Sequence, residues 1–183
     1  MITREEALGL IKKYISNEKL FKHMLAVEAI MRALARRLGE DEELWGLVGL
    51  LHDLDYELVG KDMNKHGLVS ARILEGKLPE IALNAIRAHN ELTGFEDNSR
   101  LTKALKAADQ VSGLIIATAL VMPNKKLAEV KVKSLVKKFK QKDFARNVKR
   151  EKILLCNELG LGLEEFLEIS LKALKDISSS LGL

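Results

Sequence analysis

Apolar residues recur every three to four positions along most of the chain, which is the spacing of an amphipathic α-helix. The longest such stretch runs from about Leu20 to Leu38, and Gly39 stands where the helix would end. A second begins at Ser99 and continues through Ile116. Only two prolines occur, and Leu, Ala, Lys and Glu are abundant, which favours helix throughout. We therefore predict an all-α fold.

Capping residues predict where several shorter helices begin. Thr3 and Glu6 form a capping box, Asp41 precedes a strongly apolar helix, and Pro79 suits the first turn of a helix that ends at His89. Asn64 is predicted to cap a helix over about 65–75, with His66 in its first turn. Beyond Pro123, the pattern predicts helices near 132–140, 150–159 and 163–174, followed by a frayed tail.

Length and composition are those of one globular domain, with 183 residues, of which 47% are hydrophobic and 31% charged. The single Cys156 excludes an intramolecular disulfide, and the first residues lack the pattern of a signal peptide. The most apolar run, Leu114 to Met122, is shorter than the roughly 20 residues that cross a bilayer. We expect a cytoplasmic protein without a membrane segment.

The net charge of +4 is unevenly distributed. Residues 125–152 hold twelve Lys or Arg against three Asp or Glu, which is +9 and leaves −5 for the rest. This basic segment is either a solvated helix face, a rim that attracts an anionic substrate, or a nucleic-acid surface. Nucleic acid is the least favoured, because Phe139 and Phe144 fit core positions and the segment contains no other aromatic residue that could stack on bases.

Candidate chemistry begins where an apolar run ends abruptly in His52 and Asp53. All four histidines fall at or near a predicted helix end, and Asp109 interrupts the apolar face of a helix. At about 1.5 Å per residue, an antiparallel hairpin around Gly39 would bring His52 to within about 10 Å of His23 along the axis. Imidazoles and carboxylates together suit iron, manganese, nickel, cobalt or zinc. The complete candidate set is His23, His52, Asp53, His66, His89 and Asp109.

Six ligands are too many for one tetrahedral ion but suit two ions that share a carboxylate. We predict Asp53 as that shared ligand and as the catalytic residue. Two such ions can hold a bridging hydroxide as the nucleophile and stabilise charge on a phosphoryl group.

The order of these residues resembles the HD-domain superfamily of metal-dependent phosphohydrolases, in particular its binuclear members, over about residues 21–116. The resemblance implies a helical bundle with additional C-terminal helices, in one domain over 1–183. Its metal-site core would span about 20–122 and its basic helical extension about 123–183. The implied ligands are His23, His52, Asp53 and Asp109 for one metal, and His66 and His89 with shared Asp53 for the second.

The expected activity is hydrolysis of a nucleotide or another small phosphate ester through a metal-bound hydroxide. Many members that cleave cyclic dinucleotides carry Ile-Gly after the His-Asp pair, where this chain has Leu54-Asp55. The layout is also similar to that of bacterial hydrolases of diadenosine polyphosphates. Two alternatives stay open: an HD-type di-iron oxygenase, and a non-catalytic metal-containing protein that binds or regulates a partner.

Residues near the motif have less certain roles in sequence alone. Asp55, Tyr56 and Glu57 either orient a ligand histidine or are solvated. The candidates to contact a substrate phosphate are Arg87, Asn90, Lys125 and Lys126.

Overall fold

The computed structural model describes residues 1–183 and contains helices and turns without a β-strand, which confirms the all-α prediction. The α-helices are α1 (Arg4–Tyr14), α2 (Glu18–Leu38), α3 (Glu42–Leu51), α4 (Tyr56–Val59), α5 (Leu68–Ile73), α6 (Glu80–Ala88), α7 (Arg100–Leu120), α8 (Val132–Lys140), α9 (Arg150–Ile153), α10 (Leu163–Asp176) and α11 (Ser178–Leu181). Short 3-10 segments lie at Glu91–Thr93, Leu127–Glu129 and Leu154–Leu159.

Helices α2 and α3 form a tight hairpin that sets the position of the HD motif. Gly39 ends α2 with φ +72°, and the Asp41 side chain accepts a hydrogen bond from the Leu44 amide to begin α3. Gly49 lets the two backbones approach, because a Cβ there would lie 2.9 Å from the carbonyl oxygen of Val27. The absence of a side chain at Gly49 thus allows α3 to lie directly on α2.

The long helix α7 packs against α2, α3 and α6 and also against the C-terminal helices. An apolar core of 45 buried residues is continuous from Ala7 in α1 to Leu181 in α11. It includes Leu135 of α8 and Phe166 of α10, both fully buried. The basic extension therefore shares its core with the rest of the chain.

Three local predictions were wrong. Helix α5 begins only at Leu68, because residues 60–67 form turns and Gly67 adopts φ +95°, outside the helical region. Asn64 therefore caps no helix. The predicted helix over 150–159 changes to a 3-10 turn after Ile153. The tail is helical rather than frayed, because buried Leu181 packs into the core.

Arg150 holds the basic segment in place after α8. Its guanidinium donates to backbone carbonyls between residues 138 and 148, including those of Phe144 at 2.5 Å and Ala145 at 2.8 Å. A planar fork with five N–H donors suits this clustering of carbonyls. The loop before α9 is consequently fixed to the body of the protein. No helix combines the length and apolar character needed to cross a membrane.

Candidate metal centre

The six predicted ligands lie together, although they come from five separate parts of the chain. Their locations are His23 on α2, His52 and Asp53 at the end of α3, His66 in the turn before α5, His89 at the end of α6, and Asp109 midway along α7. Their imidazole nitrogens and carboxylate oxygens approach one another within 3.0 to 3.8 Å.

His52 is fully buried and has one ring nitrogen without a hydrogen-bond partner. Its Nδ1–H donates to the Gly49 carbonyl at 2.7 Å, since a carbonyl can only accept. In the neutral ring the Nε2 atom therefore presents a lone pair, 3.2 Å from Oδ1 of Asp53. A buried acceptor that faces another acceptor is costly unless a cation or a proton lies between them.

His66 and His89 are held in the same way. The Nδ1–H of His89 donates to the Ile86 carbonyl at 2.5 Å, and that of His66 donates to Oδ1 of Asp55 at 2.8 Å. Their Nε2 atoms are consequently directed toward each other and lie 3.1 Å apart. Two neutral imidazoles cannot satisfy each other in this arrangement, since both Nε2 atoms are acceptors.

His23 and Asp109 complete the other side of the centre. His23 Nε2 lies 3.0 Å from Oδ1 of Asp109. Its Nδ1 lies 3.4 Å from the Ser112 hydroxyl, which itself donates to the Asp109 carbonyl at 2.7 Å. All four histidines thus use Nδ1 for support and present Nε2 to the same space.

Asp53 lies between the two sides. Its Oδ1 is 3.2 Å from Nε2 of His52, 3.2 Å from that of His66 and 3.4 Å from that of His89. Its Oδ2 is 3.5 Å from Nε2 of His23. One carboxylate therefore contacts every imidazole, which is the position that a bridging ligand would occupy.

The donor spacing fits bound metal. Ligand atoms about 2.1 Å from a common ion lie about 3.0 Å apart at adjacent octahedral positions and about 3.4 Å apart in a tetrahedron. Most of the observed separations, 3.0 to 3.4 Å, fall in this range, and two are longer, at 3.5 and 3.8 Å. In two groups of three residues, the possible donor atoms all lie within 4.8 Å of one another: His23, His52 and Asp109, and His52, Asp53 and His89. The residues present therefore fit divalent transition metal.

Without metal, protons take up the negative charge. Burial lowers the pKa of both His52 and His66, but the nearby carboxylates outweigh it. The net effect raises the pKa of His52 well above its usual value and that of His66 to about 9. Burial raises the pKa of Asp53 and Asp109, yet the surrounding histidines bring both pKa values below the usual range. Metal binding would displace such protons.

Asp55 is the main support for His66. The carboxylate is fully buried and accepts hydrogen bonds at 2.8 Å from His66 Nδ1–H and from the Gly67 and Ser70 amides. Burial acts to raise its pKa, but these hydrogen bonds leave the pKa below its usual value. Of the two interpretations that the sequence left open, orientation of a predicted ligand histidine describes Asp55.

Its two neighbours are placed differently. Tyr56 is 45% exposed, and its ring meets that of His66 edge to face at 5.3 Å. Glu57 accepts from the Ser16 and Asn17 amides at 3.0 and 2.7 Å. Glu57 therefore joins α4 to the start of α2 and does not orient a ligand.

A cleft of about 360 Å³ opens onto this centre. Its lining combines metal-centre residues with apolar and basic ones: Asp53, Tyr56, Met63, His66, His89, Asn90, Glu91, Leu92, Asp109, Gln110, Lys149 and Lys152. Tyr56 and Leu92 are exposed members of this lining. The cleft is the route by which a small molecule could reach the histidines.

The predicted phosphate contacts are distributed unevenly around this cleft. Asn90 lines it, but its side-chain NH₂ donates to the carbonyls of Met63 and His66 at 2.7 and 3.0 Å. Arg87 lies outside the lining and is paired with Glu80 at 2.5 Å. The turn that follows α7 contains Lys125 and Lys126, which are exposed and also outside the lining.

Gln110, Lys149 and Lys152 are among the lining residues that were not sequence-based candidates. Gln110 donates from Nε2 to Oδ2 of Asp109 at 3.1 Å and accepts from the Lys149 amide at 2.9 Å. It thereby ties the basic extension to a predicted ligand. Lys149 and Lys152 also line the cleft. The only sequence signal for these two lysines was the charge of the basic segment, which does not single out particular residues.

Comparison with known proteins agrees with this geometry. A family profile described as "HD domain" matches residues 20–114, just over half of the chain. The chain is 29% identical over 110 residues to Ribonuclease Y of Fusobacterium nucleatum subsp. nucleatum, which is 58% of this chain and 21% of that protein. The chain thus spans about a fifth of the length of this curated relative. No solved structure gives a significant match.

Proposed function

The chain belongs to the HD-domain family, and we propose on that basis that it is a metal-dependent phosphohydrolase acting on a nucleotide or another small phosphate ester. The proposed ligands are His23, His52, Asp53, His66, His89 and Asp109, holding two divalent transition-metal ions. HD-domain proteins are metal-dependent phosphohydrolases as a family, and the His and Asp clusters of this chain could hold metal.

One observation carries the proposal. His52 Nε2 is buried, has no hydrogen-bond partner and faces the carboxylates of Asp53 and Asp109 at 3.2 and 3.8 Å. In the neutral imidazole, the hydrogen bond from Nδ1 to Gly49 leaves this nitrogen as an acceptor. A structural histidine in a core would be expected to use both nitrogens. An acceptor held open among carboxylates is the arrangement expected of a metal ligand.

The chain's own residues would prepare the site for hydrolysis. Metal ions bound there would supply Lewis acidity, activating water and neutralising charge on the phosphoryl oxygens. Asp53 would join the two halves of the site, and Asp55 would keep the Nε2 lone pair of His66 directed inward. The cleft would admit the ester, with Asn90 at its wall. Arg87, Lys125 and Lys126 would contact only a substrate that extends beyond the lining.

Substrate identity is proposed only as a class. The matched relative is named a ribonuclease, but the chain covers about a fifth of it. RNA therefore belongs in the test as one substrate among several. We further propose that residues 1–183 act as one unit, because the extension after residue 122 shares the core and lines the cleft.

The direct test combines metal analysis with a phosphoester panel. Purified protein should be reconstituted with manganese, iron, nickel, cobalt or zinc, and its metal content measured after gel filtration. Nucleotides, p-nitrophenyl phosphate, bis-p-nitrophenyl phosphate and an RNA oligonucleotide should then be assayed with and without dioxygen. We expect about two ions per chain and phosphate release that does not require dioxygen.

Each alternative has its own signature in the same experiment. Dioxygen consumption that depends on an organic substrate would favour an oxygenase. Bound metal without turnover of any ester would favour a binding or regulatory protein. If the protein retained no metal in any of the reconstitutions, the proposed function would be contradicted.

A further inference from the structure

Two lysines beside the metal centre lie outside the residues that match the HD-domain profile. Lys149 precedes α9 and Lys152 lies within it, and both line the cleft together with His66, His89 and Asp109. The family match ends at residue 114. Any chemistry that these lysines contribute therefore comes from outside the matched residues.

The ammonium of Lys152 is buried without a close partner. Its side chain is 8% exposed, and its nearest acceptors are the His89 carbonyl at 3.5 Å and Oε1 of Glu91 at 3.6 Å. Good charge-assisted hydrogen bonds measure about 2.7 to 2.9 Å, so both contacts are long. A mostly buried charge whose two contacts are both long is costly. Its cost would be offset if an anion entered the cleft.

Lys149 adds a second positive charge to the same wall. Its Nζ lies 3.7 Å from Oε2 of Glu91, and its backbone amide is fixed by Gln110 at 2.9 Å. Gln110 in turn contacts Asp109 at 3.1 Å. The position of Lys149 is consequently tied to the predicted metal centre, while its side chain is about half exposed.

Glu91 is the anion that both lysines share. It follows His89 by two residues, is 57% exposed and pairs loosely with both ammonium groups. One carboxylate between two ammonium groups leaves a net charge of +1, and displacement of Glu91 into solvent would leave +2. A dianionic group matches that charge, whereas a diester carries only −1.

We propose that Lys149 and Lys152 form a subsite for a dianionic phosphate group, in which Glu91 occupies the place of the phosphate until the ligand binds. This inference rests on the proposed function and narrows its substrate to esters that present a phosphomonoester or terminal phosphate. The dianionic phosphate would contact the lysines. Either this phosphate or a neighbouring phosphate of the same substrate would lie at the metal centre.

The subsite is tested by replacing two exposed side chains, Glu91 and Lys149, which should change phosphate affinity in opposite directions. Inorganic phosphate and dimethyl phosphate should be titrated calorimetrically at pH 8 into metal-reconstituted protein and into the protein as purified. Phosphate should bind at least about tenfold more tightly than dimethyl phosphate, since a diester is only singly charged. Glu91→Gln should tighten phosphate binding about threefold and Lys149→Gln should weaken it about threefold. Lys152→Gln should weaken it at least about tenfold.

Lys133→Gln is the matched control, because Lys133 is an exposed lysine of the same basic segment outside the cleft lining. It should leave phosphate affinity unchanged. Glu91 and Lys149 are more than half exposed, so their variants should fold even if Lys152→Gln does not. Equal affinity for the two anions, or unchanged or weaker phosphate binding in Glu91→Gln, would overturn the subsite.

The outcome is separable from that of the proposed function. Loss of metal from the reconstituted wild-type protein would contradict the hydrolase, and the order of phosphate affinities among the variants would still judge the subsite. Retained metal with one phosphate affinity across all variants would overturn the subsite alone.

Discussion

The two sides of Asp53 are supported to very different degrees. We call His66 and His89 the inner pair and His23 and Asp109 the outer pair. The inner side chains are 6% and 4% exposed, whereas the outer ones are 25% and 20% exposed. Burial is therefore the first difference between the two sides.

Hydrogen bonding differs in the same direction. The Nδ1–H groups of the inner pair donate at 2.8 Å to Asp55 and at 2.5 Å to the Ile86 carbonyl. The only support for His23 Nδ1 is the Ser112 hydroxyl at 3.4 Å. The protein thus supplies strong orienting hydrogen bonds to the buried inner pair. It supplies fewer to the outer pair, whose side chains water can reach. If two ions bind, we expect the tighter site at the inner pair.

Removal of Asp53 should eliminate both metal sites, and with them the difference in metal affinity between the inner and outer pairs. We expect Asp53→Ala to reduce metal content from about two ions to well below one per chain and to lower activity at least about 1000-fold. The cause is loss of the one carboxylate that contacts all four imidazoles. Metal analysis and steady-state kinetics are the measurements.

Asp62→Ala is the control for this variant, since Asp62 is paired only with Lys65 in a turn. It should keep full metal content. An Asp53→Ala protein that still bound two ions would show that the halves do not share Asp53.

The inner pair should also depend on the backbone at Gly67. Gly67 adopts φ +95°, and a Cβ there would lie 2.7 Å from the Ile86 carbonyl and 3.3 Å from the His89 ring. Gly67→Ala should therefore lower the free energy of unfolding by about 3 kcal/mol, combining backbone strain with collision. Urea denaturation of the metal-free protein measures it.

Gly76→Ala separates strain from collision. Gly76 also has positive φ, at +72°, but a Cβ there would meet nothing within 4 Å. Its cost should be only about 1 kcal/mol. If Gly67→Ala and Gly76→Ala lowered the free energy of unfolding equally, collision with Ile86 and His89 would not contribute to the effect at Gly67.

Asp55→Asn should affect the inner pair alone. The asparagine oxygen must accept from the Gly67 and Ser70 amides, which places its NH₂ group against His66 Nδ1. His66 would then need Nδ1 as an acceptor and Nε2 protonated, the tautomer that cannot bind metal. We expect the tighter metal affinity to fall about 10- to 100-fold, as measured by competition with a chelator.

Asp62→Asn, which makes the same change at an exposed turn, should alter neither affinity. An Asp55→Asn protein that weakened both metal steps equally would indicate general loss of structure. One that weakened neither would show that His66 does not need its carboxylate.

Much of this organisation follows from short-range sequence signals. The α2–α3 hairpin could be predicted because Leu20 to Leu38 has clear periodicity and because Gly39 and Asp41 are strong end signals. The approach of His23 to His52 follows from that hairpin. The order of histidines and aspartates then identified the family.

What sequence could not supply depends on contacts between distant segments. The caps of α5 come from Asp55, 12 and 15 residues earlier, rather than from Asn64 nearby. Lys149 is indistinguishable in sequence from other lysines of the basic segment. Its position depends on Gln110 and on the carbonyls around Arg150. Such roles require the three-dimensional arrangement.

The outer pair should respond least to loss of its support. Ser112 is fully buried, and its hydroxyl is the acceptor for His23 Nδ1–H at 3.4 Å. Because that contact is long, Ser112→Ala should weaken only the looser metal step, and by about threefold. The matched control is Ser170→Ala, another buried serine, whose hydroxyl has no hydrogen-bond partner. A loss in Ser112→Ala as large as that in Asp55→Asn would contradict the unequal support of the two pairs.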